Sequence, residues 1–342
     1  MLCKEIHSAL EALVARYESD QIAVIADEHV AFETSWLILR LPIHEQEKNL
    51  TTVEQIWDFL FANQITRRGL VIAVGGGTLT DLAGFAASTY KRGIDCIHIP
   101  TTLLAMIDAS TGGKTGFNYR GLKNSIGTFA PPVETLICPA WLQTLPAKEF
   151  LSGFGEMLKT GLIESQEARV ESQEALWSQL LQYDLDTMPT ETLTPLIEQC
   201  VAVKERIVNA DPREEGLRKA LNFGHTFGHA LEEISLVERQ ALPHGYAVVY
   251  GLIAELYLSV TILGCPKAPL QQLTQLMLHY YGKPQCKCSD RAQLIVLMQQ
   301  DKKNERTAQI NCTLIKDIGS PVINCVISEQ QADEALDYLF SL

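Results

Sequence analysis

Three of the chain's eight histidines fall within twenty residues, in a glycine-rich stretch. His225 and His229 lie in residues 222–232, and His244 stands between Pro243 and Gly245. On a helix, side chains four residues apart leave the same face one turn from each other. Neutral imidazole is the commonest metal ligand, and a catalytic zinc takes three protein ligands with a fourth position open. A bare pair of histidines at this spacing arises readily by chance; the third imidazole and the surrounding glycines point to a site. Glu156 is a carboxylate candidate. It precedes Lys159 by three residues, so the two share a helical face. Glu156 either completes a two-histidine, one-carboxylate zinc site or forms a plain surface ion pair, which contributes little.

A second chemistry is phosphate binding. The apolar run 70–74 passes directly into Gly75-Gly76-Gly77 and then a helical pattern containing Asp81 and Gly84. Glycines permit a tight turn and close backbone approach, and a helix N-terminus offers unpaired N–H groups to an anion. The spacing is not a strict Gly-x-Gly-x-x-Gly, and a tight strand-to-helix turn would use similar residues. Lys114 and Lys123 stand in what read as glycine-bearing loops, where lysine serves as a point charge for phosphate. Lys114, Lys159, Lys204 and Arg218 are expected to bring their charged ends together between two domains.

The elements that must position these groups follow from periodicity. Residues 5–17 and 52–63 have helical spacing, and 21–26, 36–41, 70–74 and 94–99 read as strands, the alternation of a parallel sheet with helical crossovers. From Leu145-Pro146 onward long helical patterns take over, at 148–165, 167–183, 191–208, 222–235 and 246–263. Two short strands are expected at 308–315 and 321–327, with a closing helix at 330–342. The expected organisation is an α/β domain with a Rossmann-like parallel sheet over residues 1–145, followed by a mainly α-helical domain over 146–342.

The chain has 342 residues, 46% hydrophobic and 20% charged, with a net charge of −13. That length suits two domains. Scattered acidity argues against nucleic acid as a partner, because neutralising phosphates needs basic surface. Nine cysteines, an odd number, read as reduced thiols rather than a disulfide framework; Cys286-x-Cys288 lacks the second pair that a zinc finger would need. The N-terminus shows no basic-then-apolar leader, and no apolar run is expected to approach the length of a membrane span. A soluble, cytoplasmic protein with no membrane partner is the expectation.

Taken in order, the motifs resemble those of the 3-dehydroquinate synthase family over nearly the whole chain. They are Gly75-Gly76-Gly77 with Asp81 and Gly84; Tyr90, Arg92 and Gly93; Pro100-Thr101-Thr102 through Asp108; and Gly112-Gly113-Lys114-Thr115. Lys123-Asn124, Leu145-Pro146, Glu156 with Lys159, Lys204, Asp211 and Gly216 with Arg218 follow, then Asn222, His225, His229, His244-Gly245 and Asp301-Lys302-Lys303. The resemblance implies a dehydroquinate synthase-like fold whose two domains enclose NAD, a divalent metal (zinc first, cobalt as the alternative) and a sugar phosphate, in a homodimer. It implies Glu156, His225 and His244 as metal ligands, and so places His229 beside the substrate as a catalytic group rather than on the metal. Glu214 matches a proton acceptor, and Lys159 and Asn222 match catalytic positions. Asp27, Glu45, Lys48, Gly76, Gly77, Asp81, Thr101, Thr102, Lys123 and Thr144 match cofactor contacts. Arg92, Asp108, Lys114, Asn124, Lys159, Lys204, Arg218, Asn222 and one of Lys302 and Lys303 match substrate contacts.

The family's substrate, 3-deoxy-D-arabino-heptulosonate 7-phosphate, carries a carboxylate and a phosphate. The implied course is transient oxidation by NAD, phosphate elimination, re-reduction and an intramolecular aldol closure to 3-dehydroquinate. The alternatives are a cyclase for another sugar phosphate, a metal-dependent polyol dehydrogenase, and a catalytically dead binding protein. Leu122, Pro212 and Ser152 depart from the family's usual pattern.

Overall fold

The computed structural model describes residues 1–120, 122–165, 174–237, 241–285, 290–300 and 309–342. Lys302, Lys303, Asp301, Ala308, Gly121, Cys286 and Cys288, and the first part of the helix expected over 167–183, lie outside the described residues. The chain divides into two compact units, Met1–Pro146 and Ala147–Leu342.

In the first unit, strands β1 (Ile22–Asp27), β2 (Leu37–Leu41), β3 (Leu70–Gly75), β4 (Asp95–Pro100) and β7 (Glu134–Thr135) form a parallel sheet in the order β2-β1-β3-β4-β7. β1 and β3 are unbroken apolar runs because both faces of the sheet are covered. Ala23, Ile25, Val71 and Ala73 meet Val53, Ile56 and Leu60 of α2 (Leu50–Ala62) and Leu79, Leu82 and Ala83 of α3 (Gly77–Thr89). The alternate residues Ile22, Val24, Leu70, Ile72 and Val74 meet Ile6, Leu10 and Val14 of α1 (Ile6–Val14) on the other face. Helix α2 begins two residues before the expected Thr52, because the Asn49 side chain accepts a hydrogen bond from the Thr52 N–H and caps it.

The expected loops around Lys114 and Lys123 are instead an antiparallel hairpin, β5 (Lys114–Tyr119) and β6 (Leu122–Phe129). Gly116 faces Gly127 across it, where a Cβ on Gly116 would come within 2.4 Å of the Ile126 carbonyl. The Thr128 hydroxyl lies 2.7 Å from that of Thr115 and 2.9 Å from that of Ser88 on α3. Tertiary contact holds these strands, not β propensity.

The second unit is helical: α4 (Ala147–Ile163), α5 (Leu176–Gln182), α6 (Thr190–Ala210), α7 (His225–Val237), α8 (His244–Leu263), α9 (Lys267–Leu276), α10 (Arg291–Gln299) and α11 (Glu329–Ser341), with a hairpin of β8 (Ile310–Ile315) and β9 (Pro321–Ile327). Asn222 ends a 3-10 turn, Leu217–Asn222, rather than opening α7. Contrary to expectation, α8 is long and apolar enough to cross a membrane, yet 67% of its most apolar window is buried within the unit. It is the core helix, against which α4, α7 and α11 pack. Free cysteines among the described residues are Cys3, Cys96, Cys138, Cys200, Cys265, Cys312 and Cys325.

Candidate functional site

The helical unit brings three potential ligands together through close backbone approach. A Cβ on Gly245 would lie 1.7 Å from the Ser152 carbonyl, so α4 and α8 touch where these two residues meet. The Ser152 hydroxyl accepts a hydrogen bond from the Gly245 N–H at 3.0 Å. Serine at this position, a departure from the family pattern, therefore fastens the start of α8 to α4. That contact aims Glu156 of α4 at His244 of α8. Glu156 Oε1 lies 3.3 Å from His244 Nε2 and 3.4 Å from His225 Nε2, and one donor atom from each residue falls within 4.8 Å of the others.

The other ring nitrogens are fixed from behind. His225 Nδ1–H donates to the Phe223 carbonyl at 3.1 Å, and His244 Nδ1–H donates to Glu232 Oε2 at 3.3 Å. Both bonds turn Nε2 toward Glu156, the orientation that metal-bound histidines receive from outer partners. Glu232 was not singled out from sequence. It lies three residues after His229 and seven after His225, so helical spacing places it on their face.

The electrostatics separate these groups. Burial disfavours a charged Glu156, but Lys159, which ion-pairs with Glu156 Oε2, outweighs it and holds the carboxyl well below its ordinary range. Both residues are buried, so this is not the surface ion pair that spacing alone allowed. Burial drives His225 down to about 3 despite Glu156, keeping it neutral. Burial also opposes charge on His244, yet Glu156 and Glu232 together lift it to about 10.

Two imidazoles and a carboxylate fit a divalent metal by donor type. The two carboxylate–imidazole separations fit as well, since a tetrahedral ion with bonds of about 2.0–2.1 Å sets ligand atoms roughly 3.4 Å apart. Both Glu156 oxygens are fully buried, Oε2 against the Lys159 ammonium and Oε1 against the two imidazoles, which places Oε1 for a cation held with them. His229 stacks edge-on against His225 at 5.2 Å between ring centres and lies outside the triad.

Around the triad, Lys159 and Lys204 are buried on α4 and α6, two helices that pack together. Arg218, also buried, is held by its backbone N–H to Asp211 Oδ2 at 3.0 Å and by its guanidinium to the Pro212 carbonyl at 2.7 Å. Proline at 212 thus still supplies the acceptor that Arg218 uses. Asp211 also accepts from the Glu215 and Gly216 N–H groups. Burial opposes its charge, but these backbone donors hold its pKa down. Within this loop Glu214 has a positive φ of 62°, and its Oε1 accepts from Asn222 Nδ2 at 2.7 Å.

In the α/β unit the strand order reverses direction at β1 and β3, and ligands of such sheets bind beyond the carboxyl ends of strands at that switch. Asp27 ends β1, Gly75 ends β3, and Thr101 and Thr102 follow β4. A Cβ on Gly77 would stand 2.8 Å from Ala109 Cβ, so only glycine fits at the start of α3, which has no side-chain cap. Lys48 Nζ donates to Asp81 Oδ2 at 2.6 Å. Glu45 accepts from Asn118 Nδ2 at 2.8 Å and lies 3.9 Å from Lys123 Nζ. Backbone cradle, uncapped helix and this polar set fit a dinucleotide. The Thr144 hydroxyl donates to the Trp141 carbonyl. Asn124, at positive φ, donates its N–H to Asn118 Oδ1 in the hairpin. Arg92 also sits at positive φ, between Lys91 and Gly93.

This architecture is the dehydroquinate synthase-like fold. It is shared with 2-deoxy-scyllo-inosose synthase complexed with carbaglucose-6-phosphate, NAD+ and Co2+, at 22% identity, TM-score 0.81 and 96% and 94% coverage of this chain and that one. A second such structure is 2-epi-5-epi-valiolone synthase from Streptomyces hygroscopicus with NAD+ and Zn2+ bound, at 28% identity, TM-score 0.80 and 100% and 96% coverage. Family models for the N-terminal and C-terminal regions of 3-dehydroquinate synthase match residues 38–152 and 153–304. The 3-dehydroquinate synthase of Parabacteroides distasonis is 39% identical over 349 residues, covering 99% of this chain and 96% of that protein. The chain belongs to the 3-dehydroquinate synthase family.

Proposed function

We infer that the chain converts 3-deoxy-D-arabino-heptulosonate 7-phosphate to 3-dehydroquinate and phosphate as a carbon–oxygen lyase. The observation that carries this reading is the triad of buried Glu156 and His225 with half-buried His244, set in one helical unit with the cationic Lys159, Lys204 and Arg218. A neutral polyol would not require that many cations; a substrate bearing both carboxylate and phosphate would.

In this reading residues 1–145 bind NAD and 146–342 bind metal and substrate. Glu156, His225 and His244 hold the metal, zinc or cobalt. When bound, the metal supplies Lewis acidity to a substrate hydroxyl, and NAD supplies a hydride acceptor that returns the hydride to the same molecule. The chain's own work is orientation and charge. Lys159 and Lys204 act as point charges for substrate anions, and Arg218 reads a planar group through its fork. Asp211 fixes the loop from which Arg218 and Glu214 project. Glu214 takes a proton on its carboxylate, whose Oε1 is steadied by Asn222, and His229 is the second proton-handling group. Arg92, Asp108, Lys114, Asn124 and one of Lys302 and Lys303 complete the substrate contacts. Asp27, Glu45, Lys48, Gly76, Gly77, Asp81, Thr101, Thr102, Lys123 and Thr144 serve the cofactor. The chain works as a homodimer in the cytoplasm.

The test follows phosphate and reduced nicotinamide together. With substrate, metal and NAD far below the substrate concentration, phosphate should appear over many turnovers without accumulation of NADH. Stoichiometric NADH without phosphate would establish a polyol dehydrogenase instead. Turnover of a different sugar phosphate, with none of the heptulosonate, would establish another cyclase.

A further inference from the structure

Helix α7 carries His225 and His229, yet the residue before it has no side chain with which to cap it. Gly224 has φ of +80°, and a Cβ there would meet Leu252 Cγ at 2.7 Å and the Val248 carbonyl at 2.9 Å. The position is closed to the serine, threonine, aspartate or asparagine that ordinarily caps a helix. The acceptor comes instead from the neighbouring core helix. Glu255 of α8, fully buried, accepts from the Gly224 N–H through Oε2 at 2.6 Å and from the Thr226 N–H through Oε1 at 3.1 Å. Its two oxygens therefore bracket His225, taking the N–H groups on either side of it. A Cβ on Gly251 would lie 1.9 Å from the Gly224 carbonyl, so the two helices touch here, one turn before Glu255. Glu255 is anchored in turn: its own carbonyl accepts from the Ser259 hydroxyl at 2.7 Å, and that hydroxyl accepts from the Ile315 N–H at 3.0 Å.

We propose that Glu255 is a positioning residue for the metal centre, a buried carboxylate that caps α7 in trans and holds the His225 imidazole in ligating register with Glu156 and His244. The proposal rests on the assignment of those three residues as ligands. Its physical basis is twofold. An anionic acceptor at a helix N-terminus satisfies backbone donors that would otherwise be buried unpaired, and it opposes the positive end of the helix dipole. Losing it lets the first turn of α7 unwind, and His225 is the first residue of that turn. In sequence Glu255 is the one acidic residue of the otherwise largely apolar α8; its burial and partners show what it caps.

The experiment uses cobalt(II) alone as the probe, bound to the full-length chain, with affinity read by chelator competition and geometry by the visible absorption of the bound ion. Glu255→Gln keeps the volume and one acceptor but sets an NH2 group against a backbone N–H. It should weaken cobalt binding at least tenfold and shift the visible band. Leu273→Ala, a buried truncation on α9 of the same unit, should lower thermal stability while leaving cobalt affinity and spectrum unchanged. Glu255→Gln with the parent's affinity and spectrum would overturn the proposal, as would an equal weakening by Leu273→Ala. Should the glutamine variant not fold, Glu255→Asp retains the charge, withdraws it by one methylene, and carries the same expectation. His225→Ala in the same titration keeps the two readings apart. If it binds cobalt as the parent does, the ligand assignment itself fails and this proposal falls with it; if it loses cobalt while Glu255→Gln does not, only this proposal fails.

Discussion

The two units solve the problem of holding a ligand in opposite ways. In the helical unit the candidate site consists of ionisable side chains, buried but for half-buried His244, that fix one another: Lys159 on Glu156, Glu156 against His225 and His244, and Glu232 behind His244. In the α/β unit it consists of backbone and absent side chains, with Gly77 packed so closely on Ala109 that no Cβ fits. A side-chain site concentrates its function in a few atoms, and one substitution should empty it. A backbone cradle spreads its function over several N–H groups, and one substitution should only loosen it.

The largest expected effect follows from that contrast. His225→Ala removes a proposed ligand and should lower turnover by several kcal/mol of barrier, on the order of a thousandfold or more. Metal content should fall below stoichiometric while circular dichroism stays that of the parent. A fully metallated, active variant would remove His225 from the site.

A buried histidine in the other unit behaves quite differently. His98 on β4 is 3% exposed. Burial depresses it from 6.5 to about 4, outweighing the Ser110 backbone. Between those values the unfolded chain binds the proton and the folded chain does not, so stability falls as pH drops from 6.5 toward 4. The loss is up to about 3 kcal/mol. Urea unfolding at pH 7 and pH 4.5 should show His98→Leu flattening this acid limb in the α/β unit. An unchanged limb would mean that other groups govern acid unfolding.

Legibility in sequence differed between the regions for the same physical reason. The strands β1 and β3 and the helices α4, α6 and α8 follow from period and run length, which are local properties. Glu232 did not stand out because a glutamate on an amphipathic helix reads as solvent-facing, and Glu255, the one acidic residue of an apolar helix, did not because only tertiary packing reveals which backbone groups it meets. The hairpin of β5 and β6 read as loops because its strands carry Gly116, Gly127, Asn118 and Lys123 and are held by hydroxyl contacts to α3. Helix α8 escaped notice as an apolar span because Glu255 and its glycines interrupt the run, although the average stays apolar. The triad itself rested on the family resemblance, since spacing alone offered His225 and His229 as the pair.

Two smaller effects sharpen the comparison. Arg218→Lys keeps the charge but loses the fork that Asp211 and Pro212 orient. Loss of a charge-assisted hydrogen bond worth about 1.5–3 kcal/mol should lower kcat/KM at least about tenfold, with metal content unchanged. Equal kcat/KM would exclude Arg218 as a substrate clamp. Gly77→Val forces a side chain against Ala109 and should raise the KM for NAD roughly tenfold, as overpacking of about 1–3 kcal/mol implies. Stoichiometric metal should remain bound. Metal loss in this variant would contradict the assignment of cofactor and metal to different sets of residues.

The smallest effect is a single proton, and it tests the electrostatics of the triad directly. In the metal-free chain Glu156 and Glu232 lift His244 from 6.5 to about 10, whereas His225 stays neutral at about 3. A group raised on folding contributes stability that is complete below 6.5 and disappears as pH climbs through 10. At pH 8, therefore, the metal-free chain holds a proton on His244, and a metal must displace it because only the neutral imidazole donates. Calorimetric titration of zinc into the metal-free chain, in buffers of different ionisation enthalpy, should report release of about one proton per metal at pH 8. Glu232→Gln removes one of the two carboxylates that hold the proton, so the release should fall below that of the parent. Zinc binding without proton release at pH 8 would mean that His244 is already neutral, and that the carboxylates around it serve packing rather than charge.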